Sequence, residues 1–258
     1  QQELSMPEVA LKTGFLTDIQ QHWPFPTALI DCTLVQAGFN QHALSPELFE
    51  HYAIAVPHGA SKRQAEFLAA RLCARQALQR QTGHAQVPTQ QADTRIPVWP
   101  THSCGSMTHS HARCAAIVGL QSKWHSLGLD LERLIPIARA QRLAKTILTQ
   151  AEYTAYCRLD PAQQAWHLTL AFSLKESLFK ALNPLTGMYF GFHDAQIIDT
   201  ERHTTGHARL RLNKTLSTHW TAGRELEGQF VQLDNSLLTL IGISSEQNSA
   251  TVTTPMAL

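Results

Sequence analysis

The sequence predicts a mixed α/β fold, and three stretches carry that prediction. Lys62–Gln81 repeats apolar residues at helical spacing. Phe67, Leu68, Leu72, Cys73, Ala77 and Leu78 mark one face, and Lys62, Arg63, Arg71 and Arg75 occupy the rest. Leu127–Glu132 alternates as a strand, with Leu127, Leu129 and Leu131 facing one way and Gly128, Asp130 and Glu132 the other. Asp160–Pro161 pairs a capping side chain with the residue favoured at a first helical position. It opens a helix expected to reach Leu182 and to stop at Asn183–Pro184.

Taken in order, residues 1–40 are mixed, with Pro24 and Pro26 breaking regularity. Gly83 is placed to cap the 62–81 helix. Residues 84–106 read as loop, punctuated by Pro88, Pro97, Pro100 and Gly105. Cys114–Leu120 is apolar and β-compatible. The polar Gln121–Ser126 then suggests a hairpin with Leu127–Glu132. Arg139–Cys157 is helical but less regular, and residues 189–243 carry strand-like runs at Ala208–Leu212, Gln229–Leu233 and Leu237–Ile243. From Ser244 the chain reads as a polar tail.

The composition bounds what the chain does. Its 258 residues, 43% of them hydrophobic, suit one large or two small domains with an ample core. The formal net charge of +1 argues against a dedicated nucleic-acid binder. Five cysteines, odd in number and without a CxxC pair, argue against a disulfide framework or a cysteine zinc site. No apolar run approaches the roughly 20 residues of a membrane helix, so no stable membrane insertion is expected. Gln1–Gln2–Glu3 shows neither a basic nor an apolar leader segment. Free thiols and that start lead to an expected cytoplasmic location.

Three weak signals describe one site when taken together. Asp130 and Glu132 share a strand face with Cα atoms roughly 6.6 Å apart, twice the strand rise, a spacing at which two carboxylates converge on one hard cation. Glu176 and Lys180 are four apart on a helix and share its face, with Lys175 beside them. Gly105-Ser-Met-Thr108-His109-Ser110 is small and polar, like a turn that holds phosphate oxygens. Each has a plainer alternative: a solvated strand face, a surface ion pair, a turn with a satisfied histidine. His102, His109 and His111 suggest a zinc site, but fourteen histidines favour chance clustering and no cysteine or further histidine stands at zinc spacing. The joint reading is Mg²⁺ on oxygen ligands beside lysines for phosphate charge.

Gly128-Leu-Asp130-Leu-Glu132 followed by Phe172-Ser-Leu-Lys175-Glu176-Ser-Leu-Phe-Lys180 resembles the paired signature of the Sfp-type 4′-phosphopantetheinyl transferases. Lys62-Arg63-Gln-Ala-Glu-Phe-Leu-Ala-Ala-Arg71, Pro97-Val-Trp99-Pro100 and Gly105-Ser-Met-Thr108-His109 are most similar to the enterobactin-synthase-associated branch. The motifs span about residues 62–182. Ala70 stands where a glycine is expected, and Arg95 where another branch has lysine. The resemblance implies a pseudo-twofold arrangement of two similar α/β subdomains with coenzyme A in the cleft between them. The expected division is 1–120 for the adenine nucleotide end, 121–243 for the magnesium and pyrophosphate end, and 244–258 as tail. By position, Asp130, Glu132 and Glu176 would ligate Mg²⁺ and Lys180 would neutralise the pyrophosphate. Thr108 and His109 would contact coenzyme A phosphates, Arg63 and Arg71 would hold the 3′-phosphate end, and Lys175 would assist.

The implied reaction moves the 4′-phosphopantetheine arm of coenzyme A to a serine of an apo acyl or peptidyl carrier protein, releasing 3′,5′-adenosine bisphosphate. Glu176 is the candidate base, directly or through water, or a metal ligand only. Arg139, Arg142 and Lys145 are close to one helical face and offer positive charge to an acidic carrier. A monomer is expected by analogy. Two rivals stand: a catalytically silent coenzyme A-binding protein, and a Mg²⁺-dependent phosphodiester hydrolase.

Overall fold

A computed structural model describes residues 7–92, 94–201 and 203–246. The first half opens with a short helix α1 (Glu8–Lys12), strands β1 (Leu16–Gln21) and β2 (Cys32–Phe39), and a second short helix α2 (Pro46–His51). The long helix α3 (Ser61–Thr82) follows and ends at Gly83, whose φ of 79° is the left-handed cap that the glycine permits. A two-stranded ribbon, β3 (Thr89–Gln90) with β4 (Pro97–Val98), leads into β5 (Ser103–Ser110) and β6 (Arg113–Leu120). The four main strands form an antiparallel sheet in the order β1-β2-β6-β5. One face of it buries Val35, Ala37, Cys114, Ala116 and Val118 against Leu68, Leu72, Cys73 and Leu78 of α3.

The second half repeats the theme of one long helix on one sheet. It runs β7 (Trp124–Arg133), α4 (Ile137–Ile147), α5 (Gln150–Tyr156), α6 (Pro161–Thr186), then β8 (Ala195–Thr200), β9 (Thr205–Leu212), β10 (Glu225–Leu233) and β11 (Ser236–Ser244). Its five strands are ordered β7-β11-β10-β9-β8. Leu170, Leu174, Leu178 and Leu182 of α6 cover Leu210, Leu226, Phe230 and Ile241 on one face. On the other face Leu127, Leu129, Leu131, Leu238 and Leu240 meet Leu34, Ala115 and Ile117 of the first sheet, so an apolar layer joins the halves. No described helix is long and apolar enough to cross a membrane.

The mixed α/β class agrees with the sequence, and four local expectations are corrected. Cys114–Leu120 and Leu127–Glu132 do not form a hairpin. β6 has both edges filled, by β2 and β5, so β7 crosses over and pairs with β11 instead. Residues 105–110, read as a turn, lie inside β5 and pair with β6. Their side chains are too small and polar to show a strand pattern, because the strand lies at a crowded junction. The single helix expected over 139–157 is two. Leu148 is extended, and Thr149 restarts the chain with a capping box to Glu152. Helix α6 passes through Pro184 to Thr186. A proline in the last turn removes one donor only, and Gly187 at φ 65° ends the helix three residues on. Most of the expected tail, residues 247–258, lies outside the described residues.

The junction between the sheets is not a continuous ladder. The edge strands β5 and β7 face each other, and the outward N–H groups of β7 would be orphaned there. Ser106 and Thr108 meet them: Leu129 N–H donates to Ser106 Oγ at 2.9 Å and Leu131 N–H to Thr108 Oγ1 at 2.9 Å.

Candidate functional site

The site forms where β7 leaves this junction beneath α6. Gly128 lets the helix lie directly on the strand. A Cβ there would stand 1.9 Å from Ser177 O and 2.9 Å from Ala181 N. With that obstruction absent, the next even-numbered residue, Asp130, meets the face of α6 that carries Ser173, Glu176 and Lys180.

Asp130 is 4% exposed. Its Oδ1 accepts from Lys180 Nζ at 3.0 Å and its Oδ2 from Ser173 Oγ at 2.9 Å. The Lys180 ammonium also donates to Leu129 O at 2.9 Å and to Met107 O at 3.4 Å, so this one cation touches both halves of the molecule. Its side chain keeps 30% of its exposure and can be reached from outside.

Glu132 and Glu176 complete an acidic group. Burial, then the charges of Asp130 and Glu176, push the Glu132 carboxyl up to about 8, against the opposing pull of Lys180 and Arg139. Burial and then Asp130 push Glu176 above the usual carboxylate range, with Lys180 opposing. Three carboxyl groups thus lie within electrostatic reach of one another, and two are too crowded to ionise freely. Among the described residues no group of three or more histidine, cysteine, aspartate or glutamate side chains is gathered closely enough to cage a metal ion. In this arrangement Lys180 holds the Asp130 oxygen that such a cage would draw on. The donor set nevertheless suits a hard divalent cation: oxygen ligands only, with an excess of negative charge that a cation would relieve.

On the first half, His109 Nδ1 is 3.8 Å from Glu66 Oε2 at the start of α3. Crowding by the surrounding protein lowers the His109 imidazole, Lys180 and Lys62 add to this, and Glu66 and Asp130 oppose it. His109 therefore belongs to the same electrostatic group as Asp130 and Lys180. Arg63 lies exposed in the first turn of α3, its side chain running beside Gly59. Arg71 is 7% exposed, with its guanidinium 3.4 Å above the Phe67 ring. It has no hydrogen-bond or ion-pair partner among the described residues, and burial lowers it to about 10. A buried guanidinium without an anion is costly.

Two expected site residues are placed differently. Thr108 is 4% exposed, and its hydroxyl accepts the Leu131 N–H, so it serves the junction between the sheets. Lys175 does not join Lys180. It is 4% exposed on the opposite side of α6, donating to Glu152 Oε1 at 2.6 Å and to Ile147 O at 2.9 Å. One turn separates residues four apart, whereas adjacent residues diverge by 100° around a helix, so Glu176 and Lys180 share a face that Lys175 cannot. Sequence reasoning missed Ser173 and Thr239, whose hydroxyls back Asp130, and the nearness of Arg139 to Glu132. Ser173 and Thr239 are uncharged residues in apolar runs, and only the pairing of β7 with β11 sets Thr239 opposite Asp130.

The sequence comparisons add to this geometry. Residues 50–119 match the 4′-phosphopantetheinyl transferase N-terminal domain, and residues 126–238 match the 4′-phosphopantetheinyl transferase superfamily. The chain is 37% identical over 172 residues to enterobactin synthase component D of Escherichia coli (strain K12), covering 66% of this chain and 77% of that one. It is 33% identical over 233 residues to the protein of the same name from Salmonella typhimurium, covering 86% and 90%. It is 32% identical over 210 residues to the 4′-phosphopantetheinyl transferase Svp of Streptomyces mobaraensis, covering 80% and 81%.

Proposed function

The chain belongs to the 4′-phosphopantetheinyl transferase superfamily, and from that premise we propose how its own residues carry the transfer of phosphopantetheine from coenzyme A to a carrier protein. The observation that supports the reading most is the meeting of Asp130, Glu132, Glu176, Lys180 and His109 where β5, β7 and α6 come together. Acidic and basic groups interleaved at one partly open point suit a substrate that brings both phosphates and a metal ion.

Asp130, Glu132 and Glu176 would hold a magnesium ion through their carboxylates. That ion supplies charge neutralisation and a template for the pyrophosphate. Lys180 provides a second positive charge for the bridging oxygen that becomes anionic as the bond to the nucleotide breaks. The carrier serine oxygen attacks the β-phosphorus, the phosphoanhydride bond opens, and 3′,5′-adenosine bisphosphate leaves. The serine proton would pass to Glu176, directly or through a water molecule. His109 and the first turn of α3, with Arg63, provide donors for coenzyme A phosphate oxygens. Arg71 is buried over Phe67 with no anion beside it among the described residues, which supports a role in holding the 3′-phosphate end.

In this reading residues 1–120 take the nucleotide end of coenzyme A and residues 121–243 the metal and pyrophosphate end, and the protein acts as a monomer. Arg139, Arg142 and Lys145 are exposed on α4 and offer an acidic acyl or peptidyl carrier a docking face near Glu132. The test is a mass measurement on an apo carrier incubated with coenzyme A, Mg²⁺ and this protein. The expected result is a gain of one phosphopantetheine per carrier that disappears with Asp130→Ala. Release of free phosphopantetheine with an unmodified carrier would overturn the reading in favour of hydrolysis.

A further inference from the structure

Behind Asp130 lies a line of hydroxyl groups with no role in the reading above. Ser173 Oγ is 2.9 Å from Asp130 Oδ2 and 2.9 Å from Thr239 Oγ1. Thr239 Oγ1 is in turn 2.7 Å from Ser177 Oγ. All three residues are 0% exposed, so no solvent competes for these contacts. Thr239 is the cross-strand partner of Asp130, and Ser173 and Ser177 are one turn apart on α6 directly above the pair.

The hydrogen positions follow from the contacts. An ionised carboxylate only accepts, so the Ser173 hydrogen points at Asp130. The oxygen of Ser173 is then the acceptor for Thr239, whose hydrogen points at Ser173. Ser177 Oγ has two acceptors in reach, Thr239 Oγ1 at 2.7 Å and the Thr239 carbonyl oxygen at 3.1 Å, and so holds Thr239 from behind. The Thr239 and Ser173 dipoles lie head to tail and end on one carboxylate oxygen. Buried hydroxyls left unpaired would be costly, so the chain locks its own rotamers.

We propose that Ser173, Thr239 and Ser177 are positioning residues that engage Oδ2 of Asp130, fix the plane of its carboxyl group, and present Oδ1 to Lys180 and to a bound divalent cation. The inference rests on the assignment of Asp130 as a metal ligand. The groups around a metal ligand set its affinity as well as its direction, and losing such a partner typically costs about 10- to 100-fold in metal binding. Thr239 is the informative member, because its hydroxyl meets those of Ser173 and Ser177, and it would act on Asp130 only through Ser173.

The test is calorimetric titration of MgCl₂ into the protein saturated with coenzyme A, with no carrier present. Thr239→Val keeps the shape and removes the hydroxyl. It should weaken Mg²⁺ binding about tenfold while near-ultraviolet circular dichroism stays that of the parent, and Thr239→Ser should restore the affinity. Ser173→Ala should show the same loss, which serves as a second variant if valine disturbs the core. Mg²⁺ affinity within twofold of the parent in both Thr239→Val and Ser173→Ala overturns the proposal. Asp130→Asn separates the levels. If it abolishes the Mg²⁺ heat while the two hydroxyl variants change nothing, the positioning role alone fails; if it too binds Mg²⁺ like the parent, the metal-ligand assignment fails with it.

Discussion

Lys180 Nζ lies 3.0 Å from Asp130 Oδ1 in a contact formed without any ligand, and the same ammonium donates to backbone oxygens of both β5 and β7. The lysine thus neutralises a buried carboxylate that would otherwise face two more acids, and it competes with any metal ion for that oxygen. Pairing of this kind keeps the acidic group foldable, because a buried charge without a partner is strongly destabilising.

Lys180→Met should therefore act in opposite directions on binding and turnover. Transfer should fall by about 10²- to 10³-fold, the usual cost of removing one group aimed at developing charge. Mg²⁺ binding to the protein without coenzyme A should tighten, because Oδ1 loses its internal cation. Steady-state kinetics with a saturating carrier and a Mg²⁺ titration check the two halves of this prediction.

Glu132 links stability to pH. Its folded-state affinity is pushed up to about 8 from an ordinary 4.5, so the folded protein keeps a proton over a range in which the unfolded chain has released it. The stabilising contribution is complete below the unfolded value and is lost as pH rises towards about 8. The thermal midpoint of the metal-free protein should decline across that window. Glu132→Gln should flatten the decline, and added Mg²⁺ should offset it by favouring the ionised form. Unfolding scans between pH 5 and 8.5 measure this.

Gly128→Ala should separate α6 from β7. Its Cβ would stand 1.9 Å from a backbone oxygen, which no side-chain rotation relieves. A loss of about 3 kcal/mol is expected from overpacking of this kind, measured by urea unfolding. Transfer should fall even in the fraction that stays folded, because Ser173, Glu176 and Lys180 all move away from Asp130 together.

Lys175→Met tests a structural lysine next to the proposed base, Glu176. Glu152 also accepts from Thr149 N–H and from Ile197 N–H, so the ion pair ties α5, α6 and β8 at one point. Leaving Glu152 buried without its cation should cost about 3–5 kcal/mol. Coenzyme A affinity of the folded protein should stay within about twofold, as read by fluorescence or calorimetric titration.

The long elements were legible in the sequence because burial and capping agree along them. The α3 boundaries, 61–82 against an expected 62–81, follow from a continuous apolar face closed by Gly83, and the start of α6 from Asp160–Pro161. Asp130, Glu132, Glu176 and Lys180 were legible because strand and helix periods alone put each pair on one face. Thr108 and Lys175 were misplaced because their positions depend on partners far along the chain: the Leu131 N–H across the junction, and Glu152 in a helix start that looked like mid-helix. The identity of β5 was hidden for a related reason. An edge strand whose side chains bond to a neighbouring backbone needs hydroxyls rather than branched apolar residues.

Two hydroxyl bonds stand where a continuous backbone ladder would otherwise fasten β5 to β7. The polar fastening of one half to the other is thereby set by two side chains rather than by the main chain, and it is open to substitution one residue at a time: Ser106→Ala or Thr108→Val each strips one N–H of β7 of its acceptor, while the apolar layer continues to hold the sheets together.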